Sequence, residues 1–192
     1  MKLVFATHNL NKLHEVQLLM PKNVTILSLN DIGCTEEIAE TAKTLEGNAQ
    51  IKADHVTKNY GMPCFADDTG LLVDALNGAP GVYSARYAGE QKNSDDNMNK
   101  LLEALITTDN RSAYFKTVIA LNLNNQSIFF KGKVEGSISK VKHGDGGFGY
   151  DPIFVPNDYD QTFAQLSIAI KNKISHRGKA LQKLINYLKT LN

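Results

Sequence analysis

The stretch "FADDTG", residues 65–70, places two adjacent carboxylates behind a short apolar run that begins at Met62. Such a run predicts a buried β-strand, with Asp67 and Asp68 at its end. Two like charges in a dry environment repel each other and raise the pKa of at least one, unless a cation lies beside them. A divalent metal ion resolves this conflict. The plain alternative is that both aspartates cap a turn.

The surrounding sequence predicts a mixed α/β domain. A buried strand over Leu3 to Ala6 leads into a helix that starts between Thr7 and Asn11. Strand and helix patterns alternate along the rest of the chain, and no repeat or linker interrupts them, so residues 1–192 are predicted to form one domain. The further predicted elements are a strand over 24–29, a helix over 44–59 with Lys52 on or beside its apolar side, a helix capped by Ser94, a long hairpin over 115–123 and 127–139, and an amphipathic helix from Leu181 to Leu191.

The amino-acid composition and net charge argue against several classes of function. The chain has 42% apolar residues, 21% charged residues and a formal charge of +1, which fits a globular protein and argues against non-specific DNA coating or a polybasic membrane contact. Cys34 and Cys64 lack CxxC spacing and are expected to be reduced thiols, which favours a cytoplasmic location. The N-terminus turns polar too early for a signal peptide, and no apolar run reaches the roughly 18 residues that would span a bilayer.

Several familiar catalytic motifs are absent. "GDGGFG", residues 144–149, matches G-x-G-x-x-G, but Tyr150, Asp151 and Pro152 follow where a helix should begin. No P-loop, zinc-protease helix or G-x-S-x-G elbow occurs. Dinucleotide, Walker-type and hydrolase-elbow chemistry are therefore unsupported.

The remaining candidate functional residues lie in polar clusters between the predicted helices and strands. "THNLNK", residues 7–12, offers helix N–H groups and Lys12 to a phosphate, or is a simple N-cap. Asp68 with a remote acid such as Glu40 would suffice for Mg²⁺, which takes oxygen ligands. Phe148, between glycines, is either a base-stacking platform or part of the core. His176 and Arg177 stand in the first turn of the last helix, against the dipole, which suggests a bound anion or acceptor.

Four motifs, "FADDTGL", "GAPGVYSARYAG", "GGFGYDPIF" and "SHRGKAL", in this order resemble the inosine triphosphate pyrophosphatase family, over most of the chain. The resemblance implies a long mixed β-sheet flanked by helices, with two lobes around a central nucleotide-binding cleft, commonly in a homodimer. It also implies Mg²⁺-dependent hydrolysis of ITP, dITP and XTP to the monophosphate and pyrophosphate, which cleanses the nucleotide pool.

The resemblance further implies roles for individual residues. Asp68 looks like the catalytic base and a metal ligand, Glu40 like the second metal ligand, and Asp67 like a supporting acid. Lys12, Lys52 and Lys171 would face the triphosphate, and Phe148 and Asp151 would hold the purine. The implied substrate-binding residues are Thr7, His8, Asn9, Leu10, Asn11, Lys12, Lys52, Thr69, Phe148, Gly149, Tyr150, Asp151, Lys171, His176 and Arg177.

Three other functions stay open at this point. A related pyrophosphatase could prefer another base, and a nucleotide sensor could bind without turnover. An RNA-binding sheet is a weaker idea, because Phe129 and Phe130 are adjacent and so face opposite sides of a strand. The expected partner is a small nucleotide, with no nucleic acid and no membrane.

Overall fold

The computed structural model describes residues 1–191 and builds them around a six-stranded sheet. The strand order is β2-β1-β3-β4-β5-β6; β1 pairs in parallel with β2 and β3, whereas β5 and β6 are antiparallel. The predicted mixed α/β sheet is thereby confirmed. The strands are β1 (Lys2–Phe5), β2 (Thr25–Leu27), β3 (Cys64–Val73), β4 (Ser112–Leu123), β5 (Gln126–Ile138) and β6 (Phe154–Pro156), and the helices are α1 (Leu10–Leu19), α2 (Leu45–Tyr60), α3 (Ser94–Ala104), α4 (Ile168–Ile174) and α5 (His176–Lys189).

The chain divides into two compact units. The first unit contains residues 1–68, residues 117–132 and the segment that begins at Gly178, and the second contains residues 69–116 and 133–177. Strands β3, β4 and β5 each contribute residues to both units. That the whole chain folds as one domain stays a prediction.

The first unit buries both faces of β1. Leu3 and Phe5 pack into a core that α5 completes, and the ring of Phe5 stacks on Phe65 with 4.6 Å between centroids. Val4, which points the other way, lies in a second core with Ala49 and other residues of α2. A strand that is apolar on both faces is covered by helices on both sides, which explains its unbroken apolar sequence.

The second unit has one aromatic core. Phe115 packs edge-on against Phe154, with 4.7 Å between ring centroids, and both contact Phe163. The apolar side of α3, with Met98 and Leu101, joins the same core. This core lies beneath several of the residues expected to bind a purine, as described below.

The predicted elements are largely confirmed, with local corrections. The hairpin turns through Asn124 and Asn125, whose φ values of 52° and 58° fit a tight two-residue turn. Helix α3 is capped by Asn93 rather than Ser94, because the Asn93 side chain accepts hydrogen bonds from Asp95 N and Asp96 N. Helix α4 was not predicted. Within residues 1–191, no helix is both long and apolar enough to cross a bilayer.

Candidate active site

Asp67 and Asp68 lie in the interior of β3, where their residues are 1% and 6% exposed. The prediction that the strand ends at these carboxylates is wrong, because β3 continues to Val73 through the buried Leu71. The turn-cap alternative is excluded for the same reason. Neighbouring strand residues point to opposite faces, so each carboxylate has its own surroundings.

Asp67 is paired with a lysine from the first helix. Lys12 Nζ lies 3.0 Å from Asp67 Oδ1, and the two side chains are 15% and 1% exposed. Lys12 reaches this position because α1 begins directly after β1, which is the parallel neighbour of β3. The strand, turn and helix order predicted for residues 3–12 therefore places the Lys12 ammonium group beside the buried Asp67 carboxylate.

Asp68 accepts a hydrogen bond from the side-chain amide of Asn48. Asn48 Nδ2 donates to Asp68 Oδ2 at 3.0 Å, while Asn48 Oδ1 accepts from Ala42 N at 2.9 Å. Burial raises the pKa of Asp68 above its ordinary value, although the charges of Lys52 and Lys12 oppose this shift. The acid that adds to the shift is Glu40. The predicted rise in pKa is thus present, but its main cause is burial and not the adjacent Asp67.

Lys52 and Glu40 form the third pair of this cluster. Lys52 Nζ lies 2.5 Å from Glu40 Oε1, and Lys52 is buried on the apolar side of α2, as predicted. Burial acts to lower the pKa of Lys52, but Asp68, Glu40 and Asp67 outweigh it, so the pKa is raised. The ammonium group therefore stays charged although it is buried. We call the set Lys12, Glu40, Lys52, Asp67 and Asp68 the carboxylate–lysine cluster.

Within the segment from Thr7 to Lys12, the side chain of Asn9 caps the N-terminus of α1. Asn9 Oδ1 accepts from Asn11 N at 3.0 Å and from Lys12 N at 3.1 Å, and Thr7 Oγ1 accepts from Asn9 N. The N-cap alternative therefore describes the structure, and a phosphate at these N–H groups would replace Asn9. Leu10 is exposed.

His8 Nε2 lies 3.0 Å from the carbonyl oxygen of Glu36. The His8 ring is therefore held by the backbone at Glu36, 28 residues further along the chain. That His8 binds the substrate stays a prediction.

The second unit contains a buried ion pair beside Phe148. Lys171 Nζ lies 2.6 Å from Asp151 Oδ2, with side chains 6% and 5% exposed, and Phe148 N donates to the same oxygen at 2.8 Å. Gly147, at a φ of 72°, leaves room for this carboxylate, because a Cβ there would lie 2.0 Å from Asp151 Oδ2. The structure thus brings Phe148, Asp151 and Lys171 together.

Phe148 is half-buried and flanked by cations, which distinguishes it from a core residue. The Lys171 ammonium lies 4.9 Å from its ring centroid, and the Arg177 guanidinium carbon lies 5.5 Å away. Arg177 Nη2 also donates to Thr69 Oγ1 at 3.3 Å. His176 is buried, and its ring stacks on Phe115 at 4.5 Å. Helix α5 begins at His176, so both residues stand in its first turn, as predicted.

Tyr150 and Gly149 have structural functions in this loop. The Tyr150 ring is buried in the core of the second unit, and its hydroxyl donates to the carbonyl oxygen of Ser84 at 2.8 Å. Burial raises the pKa of this hydroxyl. Gly149 adopts a φ of 64°, which favours glycine. The position of the Tyr150 side chain and the choice of glycine at 149 are thereby explained without a ligand.

Sequence reasoning missed Asn48, which holds Asp68. The signal was present, because Asn48 precedes Lys52 by four residues on the helix and so lies on the same side of α2. It was overlooked because Asn48 is a polar residue within a predicted apolar face. Asn48 is fully buried at 0% exposure, and it contacts the carboxylate–lysine cluster through its hydrogen bond to Asp68.

The arrangement defines a class of protein. Buried carboxylate oxygens suit a hard cation, and buried ammonium groups suit phosphate oxygens, whereas an aromatic ring beside Arg and Lys suits a flat, acceptor-rich ligand. These are the groups expected of an enzyme that handles a phosphorylated, ring-containing ligand on an α/β sheet.

Comparison with known proteins identifies the family. The model of the Ham1 family matches residues 3–187. The dITP/XTP pyrophosphatase of Flavobacterium johnsoniae is 63% identical over 98% of both chains, and that of Flavobacterium psychrophilum is 59% identical over 98% of this chain and 100% of its own. The solved structure of the Staphylococcus aureus Ham1 protein gives a TM-score of 0.91 at 39% identity, over 100% of both chains. This chain therefore belongs to the Ham1 family, and the resemblance seen in the four sequence motifs is confirmed.

Proposed function

We propose that this chain hydrolyses non-standard purine nucleoside triphosphates, namely ITP, dITP and XTP, to the monophosphate and pyrophosphate. The observation that carries the proposal is the carboxylate–lysine cluster, in which the buried Asp67 pairs with the partly buried Lys12, and the buried Lys52 with the partly buried Glu40, within one unit. The Flavobacterium relatives are named dITP/XTP pyrophosphatases, which supports dITP and XTP as substrates. Removal of such nucleotides from the precursor pool is the physiological role that follows.

The residues of the cluster fit Mg²⁺. The acids Glu40, Asp67 and Asp68 offer oxygen ligands only, and their three negative charges exceed the two positive charges of Lys12 and Lys52 by one. Burial disfavours the charged form of Asp68, and an adjacent divalent cation would favour it again. Glu40 and Asp68 would hold the ion, and Asp67 would keep Lys12 in place. When bound, Mg²⁺ supplies positive charge to the phosphate oxygens.

Asp68 acts as the base in the proposed reaction. A water molecule gives a proton to the Asp68 carboxylate and attacks the α-phosphorus, and the bond from this phosphorus to the bridging oxygen breaks. Pyrophosphate leaves with the electron pair of that bond. Lys12 and Lys52 neutralise the non-bridging oxygens, and each ammonium group has three donors, so it can keep its carboxylate partner meanwhile. Thr7 and Asn9 contact the same phosphates.

The residues around Phe148 bind the base in this proposal. Phe148 stacks on the purine, and Arg177 and His176 present donors to its 6-oxo group. A 6-amino group would bring N–H against N–H and leave a buried donor unsatisfied, so ATP is a poor substrate. Lys171 is assigned to the base and not to the triphosphate, because its ammonium group lies on Asp151 beside the Phe148 ring.

A pyrophosphate assay with ITP, XTP, dITP, ATP and GTP, each with Mg²⁺ and with EDTA, tests the proposal. We expect Mg²⁺-dependent pyrophosphate from ITP, XTP and dITP, and little from ATP, which lacks the 6-oxo group. We also expect little from GTP, which has the 6-oxo group but differs from ITP by its 2-amino group. Release of orthophosphate would point to a different phosphohydrolase, and a preference for a modified pyrimidine to a related pyrophosphatase. Tight ITP binding without any product would identify a nucleotide sensor.

The homodimer and the cytoplasmic location expected from the resemblance are part of the same proposal. Mass measurement of the intact protein in solution at several concentrations tests the first, and fractionation of the source cells tests the second. A monomer that is fully active would remove the dimer from the proposal and leave the chemistry unaffected.

A further inference from the structure

A second cluster of metal-ligating side chains lies in the first unit and takes no part in the proposed hydrolysis. Cys34, Glu36 and His55 each offer one ligand atom, and these three atoms lie within 4.8 Å of one another. Cys34 and Glu36 follow a 3₁₀ turn at Asn30–Ile32, and His55 projects from α2. The cluster therefore joins two segments that are about 20 residues apart in the chain.

Hydrogen bonds hold Glu36 in place between His55 and Tyr60. His55 Nε2 lies 2.8 Å from Glu36 Oε1, and the hydroxyl of Tyr60 donates to the same carboxylate at 3.0 Å. The side chains of His55 and Glu36 are 25% and 47% exposed, whereas Cys34 is buried. The thiol thus lies at the inner end of the cluster, and solvent reaches the cluster from the side of Glu36.

We propose that Cys34 Sγ, Glu36 Oε1 and His55 Nε2 bind a zinc-class divalent cation. Sulfur, nitrogen and carboxylate oxygen are the donors that Zn²⁺ takes, whereas Mg²⁺ rejects sulfur. A thiolate and a carboxylate neutralise the two charges of the ion, and the thiol proton leaves to solvent on binding. Three protein ligands leave the fourth tetrahedral position to water.

The distances allow this binding with small side-chain movements. Bonds of about 2.0–2.3 Å place tetrahedral ligand atoms roughly 3.3–3.7 Å apart. The His55–Glu36 contact has to open by about half an ångström from its present hydrogen bond, and the others have to close from at most 4.8 Å. The movable partners are the partly exposed Glu36 and His55 side chains, which can close on the buried Cys34.

Asn59 completes the arrangement around His55. Its side-chain amide lies 3.2 Å from His55 Nδ1, one helical turn further along α2. With its oxygen turned toward this nitrogen, Asn59 accepts a hydrogen bond from His55 Nδ1–H, which leaves the Nε2 lone pair for the ion. The bound ion would tie the Cys34–Glu36 segment, which leads to Glu40, to the helix that carries Lys52.

Titration of the metal-free, full-length protein with Co²⁺ tests the proposal, because a cobalt–thiolate bond gives a charge-transfer absorption band. We expect a saturable band at one equivalent, which Zn²⁺ abolishes by competition. Cys34→Ser should lose the band, and His55→Gln should weaken Co²⁺ binding at least about tenfold. Cys64→Ser is the matched control, because Cys64 is the other buried thiol of the chain, and its band should persist.

The outcomes separate this site from the proposed hydrolysis. Zn²⁺ should raise the melting temperature of the wild type and of Cys64→Ser, but not of His55→Gln, while all three keep Mg²⁺-dependent pyrophosphate release when zinc is absent. Absence of the band in the wild type would overturn the proposal. A band that survives in Cys34→Ser, or one that His55→Gln leaves at full affinity, would do the same. Glu36→Gln gives an independent check if Cys34→Ser fails to fold.

Discussion

Asp67 and Asp68 are neighbours in β3, yet Asp67 accepts from Lys12 at 3.0 Å and Asp68 from Asn48 at 3.0 Å. The alternation of a strand sends the two carboxylates to opposite faces, so they meet different helices. One strand can therefore place two neighbouring carboxylates in different surroundings, and burial raises the pKa of Asp68. The predictions below depend on this difference.

Asp68→Asn should abolish turnover without loss of the fold. We expect pyrophosphate release from ITP to fall by about 10²–10⁴-fold, since the base and a metal ligand disappear together. Asparagine keeps an oxygen that can accept from Asn48. Steady-state assays beside circular dichroism measure both effects, and wild-type activity in a well-folded variant would remove Asp68 from the mechanism.

The same variant should reveal a stability cost of the wild-type carboxylate. Folding raises the pKa of Asp68, so the folded state disfavours its charged form, and this cost grows as the pH rises above the ordinary value of 3.8. In EDTA, the free energy of unfolding of Asp68→Asn should match the wild type in acid and exceed it near neutrality. Denaturant melts at several pH values check this, and a variant that is less stable at neutral pH would contradict it.

Lys12→Met should destabilise the protein, because it leaves the buried Asp67 without this ion pair. We expect a loss of about 3 kcal/mol in the free energy of unfolding, most of which Asp67→Asn in the same chain should restore. The KM for ITP should stay raised in the double variant. The control is Lys131→Met, which breaks the more exposed pair with Glu46 and should cost less than about 1 kcal/mol.

Tyr150→Phe should affect stability and leave substrate binding intact. Its hydroxyl donates to the Ser84 carbonyl in the core, and removal leaves that oxygen without this donor, at about 1–3 kcal/mol. Thermal melts measure the loss. A raised KM for ITP at unchanged stability would instead place Tyr150 in the binding site.

Phe148→Leu should weaken binding of the purine and spare the chemical step. Loss of a stacked aromatic ring costs about 1–3 kcal/mol per base, so the KM for ITP should rise roughly tenfold while kcat changes little. Phe129→Leu serves as a control, since Phe129 is 42% exposed and has no proposed part in binding. Equal effects of the two substitutions would argue against the stacking function.

The strand and helices near Lys12 and Lys52 could be predicted, because each of these elements has a local pattern of apolar residues. The strand before Thr7 is visible as an unbroken apolar run, and the apolar side of α2 as a period of 3.6 residues. The assignment of partners to Asp67 and Asp68 could not be predicted, because it depends on which helix covers which face of β3. That is a property of the assembled sheet and not of any short window.

Two further features were hidden for physical reasons. Helix α4 spans seven residues, and its isoleucines at 168, 170 and 174 do not follow one helical face, so periodicity gave no signal. The contact of Cys34 and Glu36 with His55 joins a loop to a helix about 20 residues later. The sequence predicts only a reduced thiol at Cys34, because His55, the third member of the cluster, lies 21 residues further along the chain.

The division of the chain into units has a consequence for the order of synthesis. The second unit is complete once Arg177 has been made, whereas the first still lacks the rest of α5. Ala180, Leu181, Leu184 and Leu188 fill the same core as Leu3 and Phe5. Leu3 and Phe5 therefore stay partly unburied until α5 has been made, and the unit that contains them is completed after the other one.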